Sequence, residues 1–158
     1  MYLDALEDVV KGFDAPVIRS QHGGWKIVCS KGKAGQDQCG LMQSVSATDM
    51  DNLAVSVIAL QTGDKLGKLL RILVPLGVLM PSGLSLTIDN VDYGRAGYVR
   101  CLPNGCVAEV ILDDPLFQKF EHGMMAYFRI FQTPEEEIAV PISLDGFAGG
   151  WSELVSRP

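Results

Sequence analysis

The stretch 100-RCLPNGCVAEV-110 sets two cysteines on either side of a turn sequence. In Leu102-Pro103-Asn104-Gly105 the proline presets φ and the glycine can take positive φ, the chemistry of a tight reversal. A chain that reverses there lays two short strands antiparallel, with Cys101 facing Cys106. Directly opposed residues at a non-hydrogen-bonded site have Cα atoms about 4.5 Å apart, close enough for a disulfide. A bulge at Gly105 would shift the register by one residue and leave the sulfurs as diagonal neighbours.

The chain holds four cysteines, Cys29, Cys39, Cys101 and Cys106, in two local couples with spacings x9 and x4. Disulfides at 29–39 and 101–106 are the favoured reading. A four-thiolate zinc site and two free-thiol pairs compete with it, although structural zinc prefers two- to four-residue spacings to x9. Disulfides imply an oxidising compartment. In the chain-entropy picture such short loops stabilise by roughly 2 to 3 kcal/mol each, so they pin local geometry more than they hold a fold together.

Outward from the hairpin, the dominant hydrophobic period is two. Trp25/Ile27/Cys29, Leu53/Val55/Val57, Leu84/Leu86/Ile88 and Ile138/Val140/Ile142/Leu144 each share one face, with Ser85, Thr87 and Ser143 on the other. Further strands are expected at 40–45, 69–74, 97–102, 106–111 and 124–131, separated by turn-forming residues. Eight or nine short strands predict a mainly β fold, an antiparallel β-sandwich of jelly-roll type. In 112-LDDPLFQKFEHG-123, Asp114 is placed to cap a helix, with Pro115 at its first position and Gly123 as its stop. A second short helix near 148–156 would let Trp151 and Leu154 cover an open end of the sandwich. Residues 2–13 carry Tyr2, Leu3, Leu6, Val9, Val10 and Phe13 at helical spacing, predicting an amphipathic helix ended by Gly12. The segment 14–24 reads as a linker, which divides the chain into an N-terminal helix and linker (1–23) and one sandwich domain (24–158).

With 47% apolar and 20% charged residues the chain has the balance of a folded globular protein. Its net charge of −6, without any Lys/Arg run, argues against nucleic acid as a partner. The longest apolar run, Ile72–Met80, is broken by Pro75 and Gly77 and falls short of a transmembrane helix, for which about 20 residues are needed. The start, 1-MYLDALEDVVKG-12, lacks the basic and apolar regions of a secretory signal, so the protein is either cytosolic or exported with its leader removed.

Candidate chemistry is sparse. His22 falls in the linker and His122 at a helix C-terminus, where the dipole accounts for it. Asp113-Asp114 and Glu135-Glu136-Glu137 could supply the acidic pair of a glycoside hydrolase, yet a cap and a solvated turn explain them equally. No nucleotide-binding or nucleophile-elbow motif is present, and no metal or cofactor is expected. The aromatics Trp25, Trp151, Tyr2, Tyr93, Tyr98 and Tyr127 read as packing. The segment 89-DNVDYGRAG-97 is the candidate binding loop, with Asp92, Tyr93 and Arg95 at its exposed tip.

In order along the chain, 25-WKIVC-29, 39-CGLMQ-43, 74-VPLGVLMPSG-83, 100-RCLPNGCVA-108 and 140-VPISLDGF-147 resemble the invasion-associated locus B family, envelope proteins mainly of alphaproteobacteria. The resemblance spans about residues 24–155, and the four cysteines match the family's cysteine positions. It implies an exported, periplasmic or secreted β-sandwich without known enzymatic activity, which binds a protein or an envelope component and in some members is linked to host-cell invasion. An acidic-pair carbohydrate hydrolase is the alternative function.

Overall fold

A computed structural model of the chain describes residues 17–31, 37–46, 54–61, 67–74, 83–103, 105–133 and 135–156. The predicted helix over 2–13 lies outside them, as do Tyr2 and Leu53. Among the described residues, eleven strands and two helices follow in chain order: β1 (Val17–His22), β2 (Trp25–Lys31), β3 (Asp37–Ser46), β4 (Ala54–Gln61), β5 (Lys68–Val74), β6 (Leu84–Ile88), β7 (Val91–Ala96), β8 (Tyr98–Leu102), β9 (Gly105–Ile111), α1 (Asp114–His122), β10 (Met125–Thr133), β11 (Glu136–Ser143) and α2 (Phe147–Ser156). The strands form two antiparallel sheets. Sheet A has the order β1-β2-β3-β4-β5-β9-β8 and sheet B the order β11-β10-β6-β7.

The period-two pattern sets which face of each strand is buried. Trp25, Ile27, Leu41, Val55, Val57, Leu70 and Ile72 of sheet A share one core with Leu84, Leu86, Ile88, Phe128, Ile130, Val140 and Ile142 of sheet B. The expected sandwich is thus present. Polar groups bridge its layers: Gln43, 7% exposed, donates from Nε2 to the Ser143 carbonyl at 2.9 Å and accepts the Ser143 N–H at 3.1 Å. Trp25 Nε1 donates to the same carbonyl at 2.9 Å. A buried amide whose donor and acceptor both find backbone partners is a satisfied core group.

Three sequence expectations need correcting. The segment 14–24 is not wholly linker, because Val17–His22 pair with β2 as an edge strand of sheet A. The segment 89–97 is not a loop, because Val91–Ala96 pair with β6 through a two-residue turn at Asp89-Asn90. Both turn residues have positive φ, 48° and 70°, as a type I′ hairpin turn requires. The Asp89 carboxylate then accepts the N–H groups of Met124 and Met125, at 3.1 Å each, which ties this turn to the start of β10. Asp113, not Asp114, caps α1: its carboxylate accepts the Leu116 N–H at 3.0 Å, while Asp114 pairs with Lys68 at 3.1 Å. The helix begins one residue earlier than Pro115 suggested, and proline tolerates either of the first two positions because neither N–H has a helical partner.

All four outer strands carry a feature that interrupts a regular hydrogen-bonding edge. The pairing register shifts at Ile18/Ser20 in β1, at Tyr98/Arg100 in β8 and within β7 between Asp92 and Arg95, and β11 holds Pro141. Bulges and prolines at sheet edges discourage pairing with other chains. Even sheet B, with just four strands, is guarded on both sides.

Candidate functional site

The residues Asp92, Tyr93 and Arg95 sit on β7, the outer strand of sheet B. Asp92 and Arg95 are exposed and Tyr93 is half-buried against the core. Gly94 between them takes φ +96° and gives its N–H to Asp92 Oδ1 at 2.9 Å, so the bulge is built from a carboxylate and a glycine. The Arg95 guanidinium lies over the Phe131 ring at 5.0 Å, a cation–π contact that fixes its direction. A single residue, Gly97, separates β7 from β8, so residues 91–102 run as one ribbon from the edge of sheet B to the edge of sheet A.

Tyr98 stands at that corner. Its hydroxyl is buried without a hydrogen-bond partner among the described residues, and burial pushes the phenol up to about 12 from 10.0. An unsatisfied buried hydroxyl costs stability, so Tyr98→Phe is expected to raise the unfolding free energy by about 1 kcal/mol, read by thermal melting. The folded state holds this proton more tightly than the unfolded chain does. The contribution to stability is therefore complete below pH 10 and is lost as the pH rises towards about 12. In an alkaline titration followed by phenolate absorbance, one tyrosine should ionise late, and Tyr98→Phe should remove that step.

The ribbon ends at a disulfide. Cys101 and Cys106 are directly opposed across β8 and β9, with Cα atoms 3.9 Å apart, so the unshifted register of the hairpin is the one adopted. Cys29 and Cys39 are opposed in the same way across β2 and β3, at 4.1 Å. All four cysteines are bonded, which overturns both the zinc and the free-thiol readings.

A second polar cluster carries no local sequence signal. Ser20 Oγ donates to Glu153 Oε2 at 2.9 Å, and His22 Nε2 lies 2.8 Å from Glu153 Oε1. The serine meets the carboxylate and not the imidazole, so this is not a nucleophile with its base. It is a latch that holds edge strand β1 to α2, across more than 130 residues of sequence.

Three of the five acidic residues considered for hydrolysis are separately engaged. Asp113 caps α1, Asp114 pairs with Lys68, and Glu137 pairs with Arg129 at 2.9 Å. Glu135 is exposed, and the side chain of Glu136 lies outside the described ones. His122 falls in the last turn of α1, as the dipole argument expects. Trp25 and Trp151 belong to the core, with Tyr93 and Tyr98 packed against it. Among the described residues, no group of three or more His, Cys, Asp or Glu could hold a metal ion, and no helix is long and apolar enough to cross a membrane.

Comparison with known proteins agrees with this architecture. The chain matches the family described as Invasion associated locus B (IalB) protein over residues 25–154. Two invasion protein B homologues of Brucella abortus, from strain 2308 and from biovar 1 strain 9-941, are each 25% identical over 141 residues, covering 89% of this chain and 80% of the relative. The crystal structure of invasion associated protein b from Bartonella henselae superposes with a TM-score of 0.72 at 19% identity, covering 90% of this chain and 96% of that one. At that identity the likeness bears on the fold. The family description names association with invasion and no reaction. With a match over most of its length, this chain belongs to the invasion-associated locus B family.

Proposed function

We propose that this protein works outside the cytoplasm, in the periplasm or at the cell surface, and acts by binding a protein or an envelope component. The closure of both cysteine couples as cross-strand disulfides carries this reading, because such bonds persist in oxidising compartments. The names of the relatives support a part in host-cell invasion. The binding surface is the polar edge of β7, where Asp92 and Arg95 present opposite charges beside Tyr93 on a strand whose bulge makes it a poor partner for another sheet.

The test is made in cells that produce the full-length protein from its own gene. A membrane-permeant thiol reagent added before lysis should leave all four cysteines unlabelled, with the protein in the periplasmic or secreted fraction. Labelled cysteines in a cytosolic fraction would overturn the extracytoplasmic assignment. A photoreactive residue at position 92 should form adducts with envelope material that one at exposed Ser152 on α2 does not. Equal yields from both positions would remove the binding role from β7.

A further inference from the structure

Sheet B covers one face of sheet A, yet a stripe across the other face is buried too. On the outer face, Val28, Met42, Ile58, Leu73 and Val107 are between 0 and 9% exposed and form a cluster separate from the main core. Neither described helix lies there. The α2 residues Trp151 and Gly150 pack on the inner side, against the Phe117–Phe147 ring group and Leu41 respectively, and Phe120 of α1 joins the same inner core.

The strand registers arrange the five side chains as a diagonal stripe. It runs from Val28 on β2 through the directly opposed Met42 and Ile58 to the directly opposed Leu73 and Val107 on β5 and β9. The stripe crosses β2, β3, β4, β5 and β9, which are consecutive neighbours in the sheet. Four steps of about 4.8 Å across the sheet, with two offsets of two residues along the strands, about 7 Å each, make it about 23 Å long. Residues 2–13, twelve residues with an apolar helical stripe, would span about 18 Å as a helix, enough to cover most of it.

The connection also closes. The chain enters the sheet at Val17, opposite Cys29, and its next residue Ile18 is opposite Val28, the first residue of the stripe. Residues 14–16 can extend about 10 Å, the separation between a sheet and a layer packed on it. Charge is complementary as well. Lys26 stands opposite Met42 and Arg100 opposite Val107, and Arg71 on the same face pairs with Glu109, while the polar positions of the segment are Asp4, Glu7, Asp8 and Lys11, acidic on balance. The other stretches long enough to matter are tethered at strand ends: 32–36, 47–53 and 62–66 join adjacent strands of sheet A, and 75–82 leads from β5 to β6 in sheet B. None is free to run from β2 to β9.

We propose that residues 2–13 form an amphipathic helix seated on the outer face of sheet A, with Leu6, Val9, Val10 and Phe13 against the stripe. The sandwich thereby becomes a three-layered unit, and the segment shields an apolar surface that would otherwise face solvent. The test uses the full-length protein with labelled methyl groups. Nuclear Overhauser contacts are expected from Leu6, Val9 and Val10 to Ile58 and Leu73 within one molecule. The double variant Leu6→Asp/Val9→Asp should lose them and bind a dye for exposed apolar surface several-fold more strongly, while Asp8→Ser changes neither. If the double variant does not fold, the contacts in the unaltered protein decide. Contacts that arise only between differently labelled molecules would assign the stripe to a second copy, and contacts from residues 75–82 in place of 2–13 would assign it to that connection. Either result, or unchanged dye binding in a folded double variant, overturns the proposal.

Discussion

Replacing Phe147 with alanine is expected to lower the unfolding free energy by about 3–5 kcal/mol, the cost of emptying a large aromatic site in a packed core. For a chain of this size that is a fall of roughly 6–20 °C in the melting temperature. Phe147 is fully buried, and its ring meets four others: Trp25 at 5.1 Å, Phe120 at 5.3 Å, Phe117 at 5.9 Å and Trp151 at 6.2 Å. Those neighbours come from β2, α1 and α2, so one side chain joins both helices to sheet A. The first two pairs with tryptophan and phenylalanine are edge-on or tilted, the geometry in which aromatic pairs gain beyond their area. The near-ultraviolet signal of the two tryptophans should collapse with Phe147→Ala. Phe147→Leu, which keeps most of the volume, should cost less than about 1.5 kcal/mol. A loss below 1 kcal/mol for the alanine variant would mean that the helices dock through other contacts.

How far the sequence discloses this arrangement depends on which force shapes each part. Strands with one face fully in the core, such as central β6 and outer β11, are legible because burial of that face imposes an alternation that Leu84, Leu86 and Ile88 or Val140 and Ile142 write directly into the chain. Two of the edge strands escape for the opposite reason. β1 and β7 present polar and exposed residues, and their pairing rests on backbone hydrogen bonds that leave no periodic trace. The capping of α1 is ambiguous because two aspartates stand in succession, and the salt bridge from Lys68 to the second decides between them only in three dimensions. Long-range polar contacts are invisible for the same reason. Nothing near Gln43 hints at Ser143, nor anything near His22 at Glu153, each more than 90 residues away. The candidate binding residues Asp92, Tyr93 and Arg95 could be found from local polarity, but their strand conformation could not, since the Gly94 bulge imitates a loop in composition.

Gly146→Ala is expected to be nearly as damaging as the loss of Phe147, through the backbone instead of a side chain. Gly146 has φ +88°, and a Cβ placed there would lie 2.0 Å from the His22 carbonyl oxygen and 2.7 Å from the Gly23 N. The partner turn is built alike: Gly23 has φ +56°, and its Cβ would lie 2.3 Å from the Asp145 carbonyl oxygen. Between them Gly24 N donates to the Asp145 carbonyl at 3.2 Å. Two turns from opposite ends of the chain thus meet backbone to backbone, which two side chains would prevent. A non-glycine residue at positive φ costs about 1–3 kcal/mol by itself. The clash adds to it, because the atoms that must yield are main chain, and the total should reach about 3–4 kcal/mol. Gly94→Ala separates the two contributions. Gly94 has φ +96° but nothing within 4 Å of an added Cβ, so it should pay the conformational cost alone. If both variants melt at the same temperature, the close approach contributes nothing. If Gly146→Ala melts well below Gly94→Ala, the contact between the turns is what places β1 within reach of α2 and lets Glu153 hold Ser20 and His22.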